Sequence, residues 1–481
     1  MTNHKRVVIP IALAASALTA PAFAQSDAER IRLLEQQLQH QAQIMQEQQR
    51  ALEAMQDELE RLKAGQSPAL VTSPPPATGS GTSTTTVPIE DLHQPIAVAM
   101  PPEETGDEPL GFEIYGFVMA DAIYDFKRVD PDWNDTLRVT TIPTADGQYG
   151  ADGEFVFSVR QSRLGLKGDW DTDAGKVGFI LEAELFGTGG DAGQTTPRLR
   201  HAWATWKNFG MGQYWSNFMD IDVFPNTIDY WGPTGMVFYR NQQMRYTWPM
   251  GEDEFAISLE DPGTALTVGR FRDECSNEVG ESCESTLGEE YRAKNELPDL
   301  ALRYRNNTDW GHWQLAGMAR QLGYERRDTG FTDEEYGWGI NASSVIRVTE
   351  LDRLKLQVVY GEGIGNYLND GGLDLAPRNA ERTGNTAETV PLLGIVAYYD
   401  HYWNERWSTS IGWSGVELDT TAGQAGTEFE KGQIAQVNLL HYPTDGVLIG
   451  GELIWGERED INGADGDDLR VQMSLKVNFP R

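Results

Sequence analysis

Leu469-Arg470-Val471-Gln472-Met473-Ser474-Leu475-Lys476-Val477-Asn478-Phe479 alternates with period two. Successive strand side chains point to opposite faces, so Leu469, Val471, Met473, Leu475, Val477 and Phe479 share one side. Arg470, Gln472, Ser474, Lys476 and Asn478 share the other. The strand is oily on one face and wet on the other. A soluble sandwich tolerates that pattern, whereas a strand between lipid and a water-filled lumen requires it. The recurrence of the pattern and the destination of the chain decide between the two.

The pattern recurs. From Gly111 onward helical periodicity disappears, and turn signals divide residues 111–481 into about sixteen candidate strands, an even number of the kind bacterial outer-membrane barrels use. The connections alternate. Short ones fall at 169–175, 208–210, 249–253, 307–310, 349–352, 403–404 and 444–445, and long polar ones at 127–152, 217–239, 261–299, 362–388 and 418–431. Short periplasmic turns facing long outer loops give a transmembrane barrel that rhythm. Trp170, Trp206, Phe209, Trp248, Trp310, Trp313, Tyr402, Trp403, Trp407 and Tyr442 gather beside the short turns. Aromatics prefer the headgroup level. The expected fold is therefore all-β, an antiparallel transmembrane barrel of about sixteen strands.

The N-terminal part reads differently. Lys5 and Arg6, an apolar run from Val7 to Ala20 and the Ala22-Phe23-Ala24 cleavage pattern mark residues 1–24 as a secretory signal peptide. In residues 25–64, Ile31, Leu38, Met45, Leu52 and Leu59 recur every seven positions, with Leu34, Met55 and Leu62 on the partner seam and Gln41 and Gln48 interrupting it. That predicts a helical coiled coil, with a helix packed on a domain as the alternative. Residues 65–110, rich in Pro, Ser and Thr, read as a disordered linker. After the signal no apolar run approaches the roughly 20 residues of a membrane helix. A formal net charge of -34 excludes a basic stripe for nucleic acid. Cys275 and Cys283 lie in an acidic, loop-like stretch. In an exported chain they read as a local disulfide, with two free thiols as the alternative.

The lumen face follows from strand parity. Leu164 and Leu166 outward put Arg163 and Lys167 inward. Phe155, Phe157 and Val159 outward put Arg160 inward as well, which requires a bulge near Gln161. By the same rule Glu182, Glu184, Arg198, Arg200, Arg245, Arg303 and Arg305 face inward, with Leu199 and Trp203 outward. Arginine stays charged and grips carboxylates in two-point fashion, and a cationic ring selects anions. Pairing with wall carboxylates for rigidity is the plainer role for any single one. Residues 217–239 are too apolar for an exposed loop. Folded inward, they would bring Asp220, Asp222 and Asp229 to face the arginine wall across an eyelet. No metal site and no cofactor are read from the sequence.

Ser162-Arg163-Leu164-Gly165-Leu166-Lys167-Gly168 resembles the second-strand motif of Gram-negative general porins, and Ile114-Tyr115-Gly116 their first strand. The whole plan, with its Arg-Leu-Arg-His and Gly-Gln-Tyr-Trp-Ser-Asn-Phe segments, is similar to DcaP-like porins. That resemblance implies a homotrimer in the bacterial outer membrane that passes small anionic solutes such as dicarboxylates. It also likens residues 217–239 to the inward third loop of general porins. Phe479 is followed by Pro480 and Arg481, a departure from the terminal aromatic of such barrels. Two other classes fit parts of the pattern. One is a structural envelope protein, its barrel an anchor and its periplasmic coiled coil in contact with the cell wall. The other is a barrel hydrolase, disfavoured because His201, His312, His401 and His441 lack an evident Ser or Asp constellation.

Overall fold

The computed structural model describes residues 111–267, 291–326, 329–381 and 386–479. The expected signal peptide, coiled coil and linker, and Cys275 and Cys283, lie outside them.

Sixteen strands form the body: β1 (Gly111–Asp125), β2 in two segments (Glu154–Ser158 and Arg163–Trp170), β3 (Val177–Phe186), β4 (Thr195–Trp206), β5 (Phe209–Trp215), β6 (Arg240–Met250), β7 (Asp253–Glu260) and β8 (Asp299–Thr308). They continue as β9 (Gly311–Arg326), β10 (Phe331–Arg347), β11 (Arg353–Glu362), β12 (Pro391–Asn404), β13 (Trp407–Leu418), β14 (Phe429–Thr444), β15 (Val447–Asp460) and β16 (Asp465–Asn478). Each pairs antiparallel with its neighbours in the chain, and β16 pairs with β1 from Phe117↔Asn478 to Asp125↔Arg470. The sheet is closed, so no edge is left to pair with another chain.

The quoted strand behaves as its parity demands. Met473 is 61% exposed on the outside and Gln472 is fully buried on the inside. Phe112, Ile114, Phe157, Leu164 and Ile340 continue the apolar outer belt. Trp206, Trp248, Trp310 and Trp403 stand exposed beside short turns. Tyr442 does not join them. It is buried, and its hydroxyl meets Ser408 and accepts from Asn226. The neighbouring Leu439 is outward, so parity sends residue 442 inward.

The expected phase flip in β2 is a full interruption. Ser162 N donates to Val159 O at 3.0 Å, closing a turn between the two segments. Both segments pair with β1, with Asp121↔Ser158 above the turn and Phe117↔Arg163 below it. Three residues of β1 thus oppose four of β2, and the extra one inverts parity. Glycine permits the close approach below. Tyr115 stands opposite Gly165, and a Cβ there would lie 2.2 Å from the Tyr115 ring. Gly116 has φ +147°, and its Cβ would meet Arg163 O at 2.2 Å.

A second bulge corrects one parity reading. Glu182 pairs with His201 and Ala183 with Leu199, leaving Arg200 as the extra residue of β4. Parity inverts after it, so His201 and Trp203 turn inward. Trp203 stacks on Tyr214 rather than facing lipid.

The lumen is not left open, since three long connections fold into it. Val129, Leu137, Val139 and Ile142 of the first loop (126–153) are buried against Ile434 and Ile454 of the inner wall. Phe218, Met219 and Val223 of the third loop (216–239) pack on Ala301, Ala316, Val345 and Val359. Tyr367, Leu368 and Leu375 of the sixth loop (363–390) are buried as well. Each such side chain gains about 1.5–3 kcal/mol over exposure, enough to hold a loop inside.

Candidate functional site: an arginine wall and an inward loop

Five strands and one loop build the densest charge cluster. Arg163 comes from the lower segment of β2, where the interruption restores its inward parity. Glu182 and Glu184 lie two apart on β3 and share one face. Arg198 and Arg200 face inward from β4, and Arg240 begins β6. Arg200 is buried between the two carboxylates, with Nε on Glu182 Oε1 at 2.7 Å and Nη1 on Glu184 Oε2 at 2.6 Å. Arg163 approaches them less closely, at 3.7 Å and 3.6 Å. Arg198 donates to Glu184 and to the Tyr230 hydroxyl of the third loop. Arg240 lies 3.8 Å from Glu184. Four guanidinium groups therefore share two carboxylates, and the cluster keeps a positive excess. Among the described residues, Arg163 Nε, Arg240 Nη1 and Trp215 Nε1 are buried there without an acceptor. Lys476 adds a fifth cation, its Nζ 4.1 Å from the centre of the Phe117 ring, which also carries the Arg163 guanidinium at 5.2 Å.

The remaining inward residues divide by partner. Arg160 is buried by the interruption of β2 and donates to Asp135 of the first loop and to Gly187 O, so it fastens loops. Lys167 lies 3.3 Å from Glu113, closer to the turns. Arg245 is buried over the Trp203 ring and donates to Gln243 Oε1 and Trp215 O. Arg303 pairs with Glu254 of β7. Arg305 reaches Asp220 and Asp222 of the third loop.

The loop carboxylates are docked rather than suspended across a gap. Asp220 caps the short turn Ile221–Val223, and its Oδ2 accepts from Ser343 at 2.6 Å and faces His312 Nε2 at 2.9 Å. Burial would push its pKa up, but the His312 ring, Arg305 and Ser343 outweigh that and hold the carboxyl below its ordinary range. Asp229 accepts from Thr136 Oγ1 at 2.9 Å and Leu137 N at 3.1 Å, and lies 3.7 Å from Arg470. It joins the third loop to the first, away from Arg163 and Arg200. The expected face-to-face eyelet of Asp220, Asp222 and Asp229 against arginines is thus a set of closed contacts, because an apolar loop pulled onto the wall brings its charges into pairing distance.

Asp220, Asp222 and His312 bring one ligand atom each within 4.8 Å of one another. The Arg305 guanidinium already lies on both carboxylates. His312 and Ser343 address the same Asp220 oxygen, so the hydroxyl donates to a carboxylate and not to the imidazole. A serine nucleophile needs the reverse.

Three residues of the inner wall were left out of the candidate site. Arg240 sits where the chain leaves the inward loop, so its position on the strand does not fix its direction. Lys476 was legible in the alternation of β16. Arg320 was legible from Trp313 and Leu315 outward on β9. It is fully buried, with Nε on Asp299 Oδ2 and Nη1 on Asp374 Oδ1, each at 2.9 Å, the second anchoring the sixth loop.

A closed sixteen-strand barrel with an apolar belt, an inward third loop and an arginine-rich inner wall defines a porin-like barrel of the outer membrane. Within that class the chain is similar to DcaP over part of its length. The family model of the DcaP outer membrane protein matches residues 105–263. The solved outer membrane channel DcaP of Acinetobacter baumannii is 22% identical and superposes with a TM-score of 0.64, over 78% of this chain and 99% of that one. At that identity the likeness is one of fold. An anion-selective porin from Comamonas acidovorans is 11% identical with a TM-score of 0.49, over 77% of this chain and 100% of that one. No curated protein matches the sequence.

Proposed function

We propose that the chain is a diffusion channel for small anionic solutes, dicarboxylates among them. The observation that carries this reading is the excess of Arg163, Arg198, Arg200 and Arg240 over Glu182 and Glu184, with donors left unpaired beside them. Two net positive charges on a half-dry wall attract a solute with two carboxylates, and the planar forks grip it without changing protonation. Tyr230, held by Arg198 and Glu184, faces the wall from the third loop and narrows the passage. The heptads of residues 25–64 support self-association through a periplasmic coiled coil within reach of the cell wall, and the resemblance to DcaP-like porins supports a homotrimer. The signal peptide is the export route.

The test is the reversal potential of single channels in a planar bilayer under a potassium chloride gradient. Anion preference is expected, and Arg163→Gln with Arg198→Gln should reduce it. Channels that open but show no preference would overturn the reading.

One observation favours a second reading. Three loops occupy the lumen, as expected of a barrel that serves as an anchor for an envelope-spanning coiled coil. The absence of any open conductance step would support it.

A further inference from the structure

Away from the cluster on β2 to β6, the Arg305 guanidinium of β8 sits at the meeting point of three metal-ligating side chains. Its Nη2 donates to Asp222 and, at 3.2 Å, to His312 Nδ1, and its Nη1 reaches Asp220 Oδ1 at 3.5 Å. A guanidinium only donates, so His312 Nδ1 presents a lone pair here. Nε2 then carries the ring proton and donates it to Asp220 Oδ2 at 2.9 Å. One imidazole nitrogen and two carboxylate oxygens thus converge on a cation that the chain itself supplies. Zinc bonds of about 2.0–2.1 Å set ligands roughly 3.3 Å apart, and one ligand atom from each of these residues lies within 4.8 Å of the others, so a modest contraction suffices. Asp222 is placed to make it, half-buried on the turn Ile221–Val223, while Asp220 and His312 are buried.

Space for an exchange of cations lies beside the group. A chamber of about 280 Å³ beneath the third loop is lined by Asp222, Arg305 and His312, and can receive the guanidinium when it swings out. The other cations of that chamber have partners of their own. Lys355 lies 3.2 Å from Asp400 Oδ2. Arg347 donates to Asp309 O, and Arg353 to Glu350 O and Asp352 O, each at 3.1 Å. Their charge opposes a metal ion, but they occupy none of its ligands.

We propose that Asp220, Asp222 and His312 form a binding site for a zinc-class metal ion, in exchange with Arg305. An imidazole beside two carboxylates suits zinc and its neighbours, whereas magnesium and calcium take oxygens alone. Three protein ligands leave the fourth position of a tetrahedron open to the water of the chamber. The Asp220 contact at Nε2 holds the imidazole by its far nitrogen, as metal-bound histidines are held. Loading the site replaces the ion pair between β8 and the third loop with bonds from β9 to that loop, and releases one guanidinium into the lumen. The third loop is clamped to the wall in either state. The proposal is independent of the channel reading, because its test reads metal binding alone.

The experiment titrates full-length protein in detergent with zinc by calorimetry, after reduction and alkylation of its cysteines. The unfolding midpoint is measured with and without zinc. The wild type is expected to bind zinc. Arg305→Ala removes the competing cation and should tighten binding roughly tenfold, the worth of a charge-assisted hydrogen bond. His312→Gln should weaken it by more than the roughly ten- to hundredfold that loss of an outer-shell partner costs. Asp222→Asn, on the half-buried turn, should weaken it as well and serves if the His312 variant does not fold. Zinc should raise the unfolding midpoint of the wild type and of Arg305→Ala, but not of His312→Gln. Zinc affinity unchanged in both ligand variants, or not increased in Arg305→Ala, would overturn the site. Zinc that binds Arg305→Ala but not the wild type would make the guanidinium a permanent occupant and overturn the exchange. Magnesium that competes with zinc at equal concentration would overturn the part given to the imidazole.

Discussion

Arg470 forks Asp125 across the seam where β16 closes on β1. Nε meets Oδ1 at 2.6 Å and Nη2 meets Oδ2 at 2.7 Å, with both side chains fully buried. The same guanidinium donates to Asn134 O of the first loop at 2.9 Å and stands 3.7 Å from Asp229 of the third. One residue of the alternating strand thus joins barrel closure to the docking of two loops.

Arg470→Ala should therefore cost more than a wall residue. It leaves Asp125 buried without its partner, a loss of about 3–5 kcal/mol. Arg470→Lys should recover only part, because an ammonium cannot make the fork. The measurement is the unfolding midpoint in detergent. A midpoint unchanged in Arg470→Ala would show that the seam does not depend on this pair.

Gly165→Ala should destabilise the junction of β1 and β2 by about 1–3 kcal/mol, since the new methyl would overlap the Tyr115 ring. Tyr115→Ala in the same chain should relieve the clash, giving a non-additive pair in a double-mutant cycle. Additive losses would count against the contact.

Arg320 holds the sixth loop through Asp374 Oδ1 and Asn366 Oδ1, both at 2.9 Å. Arg320→Gln should free that loop from the lumen. Single-channel conductance should rise, and residues 363–390 should become open to proteolysis from the outer side. Unchanged conductance and protection together would mean that the apolar burial of Tyr367 and Leu368 suffices.

Strand parity was legible because one face of each strand meets lipid. A slip at any position would expose charge to hydrocarbon, so Met473 and Gln472 declare their sides in the sequence. Bulges set the limit. The one in β2 could be inferred from the clash of two parities around Gln161. The one at Arg200 could not, because Trp203 suits either face. Loops obey no period. Residues 217–239 announced themselves by Phe218, Met219, Val223 and Phe224. Val129, Leu137, Val139 and Ile142 carried the same signal, diluted among Asp130, Asp132 and Asp135. Pairing was the least legible feature. Parity put Arg305 inside and the apolar character of the loop put Asp220 and Asp222 there, but only the path of the loop decides whether they touch.

Glu184→Gln tests the charge excess from the acidic side. Glu184 accepts from Arg198 and Arg200 and lies near Arg163 and Arg240. The amide keeps the shape and removes one negative charge, so the anion-to-cation permeability ratio should rise, by roughly twofold for one charge in a confined lumen. A ratio that falls or stays fixed would show that permeating ions do not sense this cluster.

Acid should tighten the docked loops. Burial raises the pKa of Asp229, against the lowering effects of Arg470 and of hydrogen bonds from Trp231 N, Thr136 and Leu137 N. Burial likewise raises Asp374, against Arg320 and bonds from Ala265 N and Asn366 N. Both groups bind protons more readily in the docked loops than in released ones, so docking gains stability as pH falls from neutrality toward the ordinary carboxylate range. Asp220 has the opposite sign. Its folded pKa is depressed, so its contribution stays whole above the ordinary carboxylate pKa and is lost only in stronger acid. Between about pH 7 and about pH 4 the two raised groups therefore prevail. Conductance should decline over that window, and Asp229→Asn together with Asp374→Asn should flatten the decline. An equally steep decline in the double variant would assign the acid response to other groups.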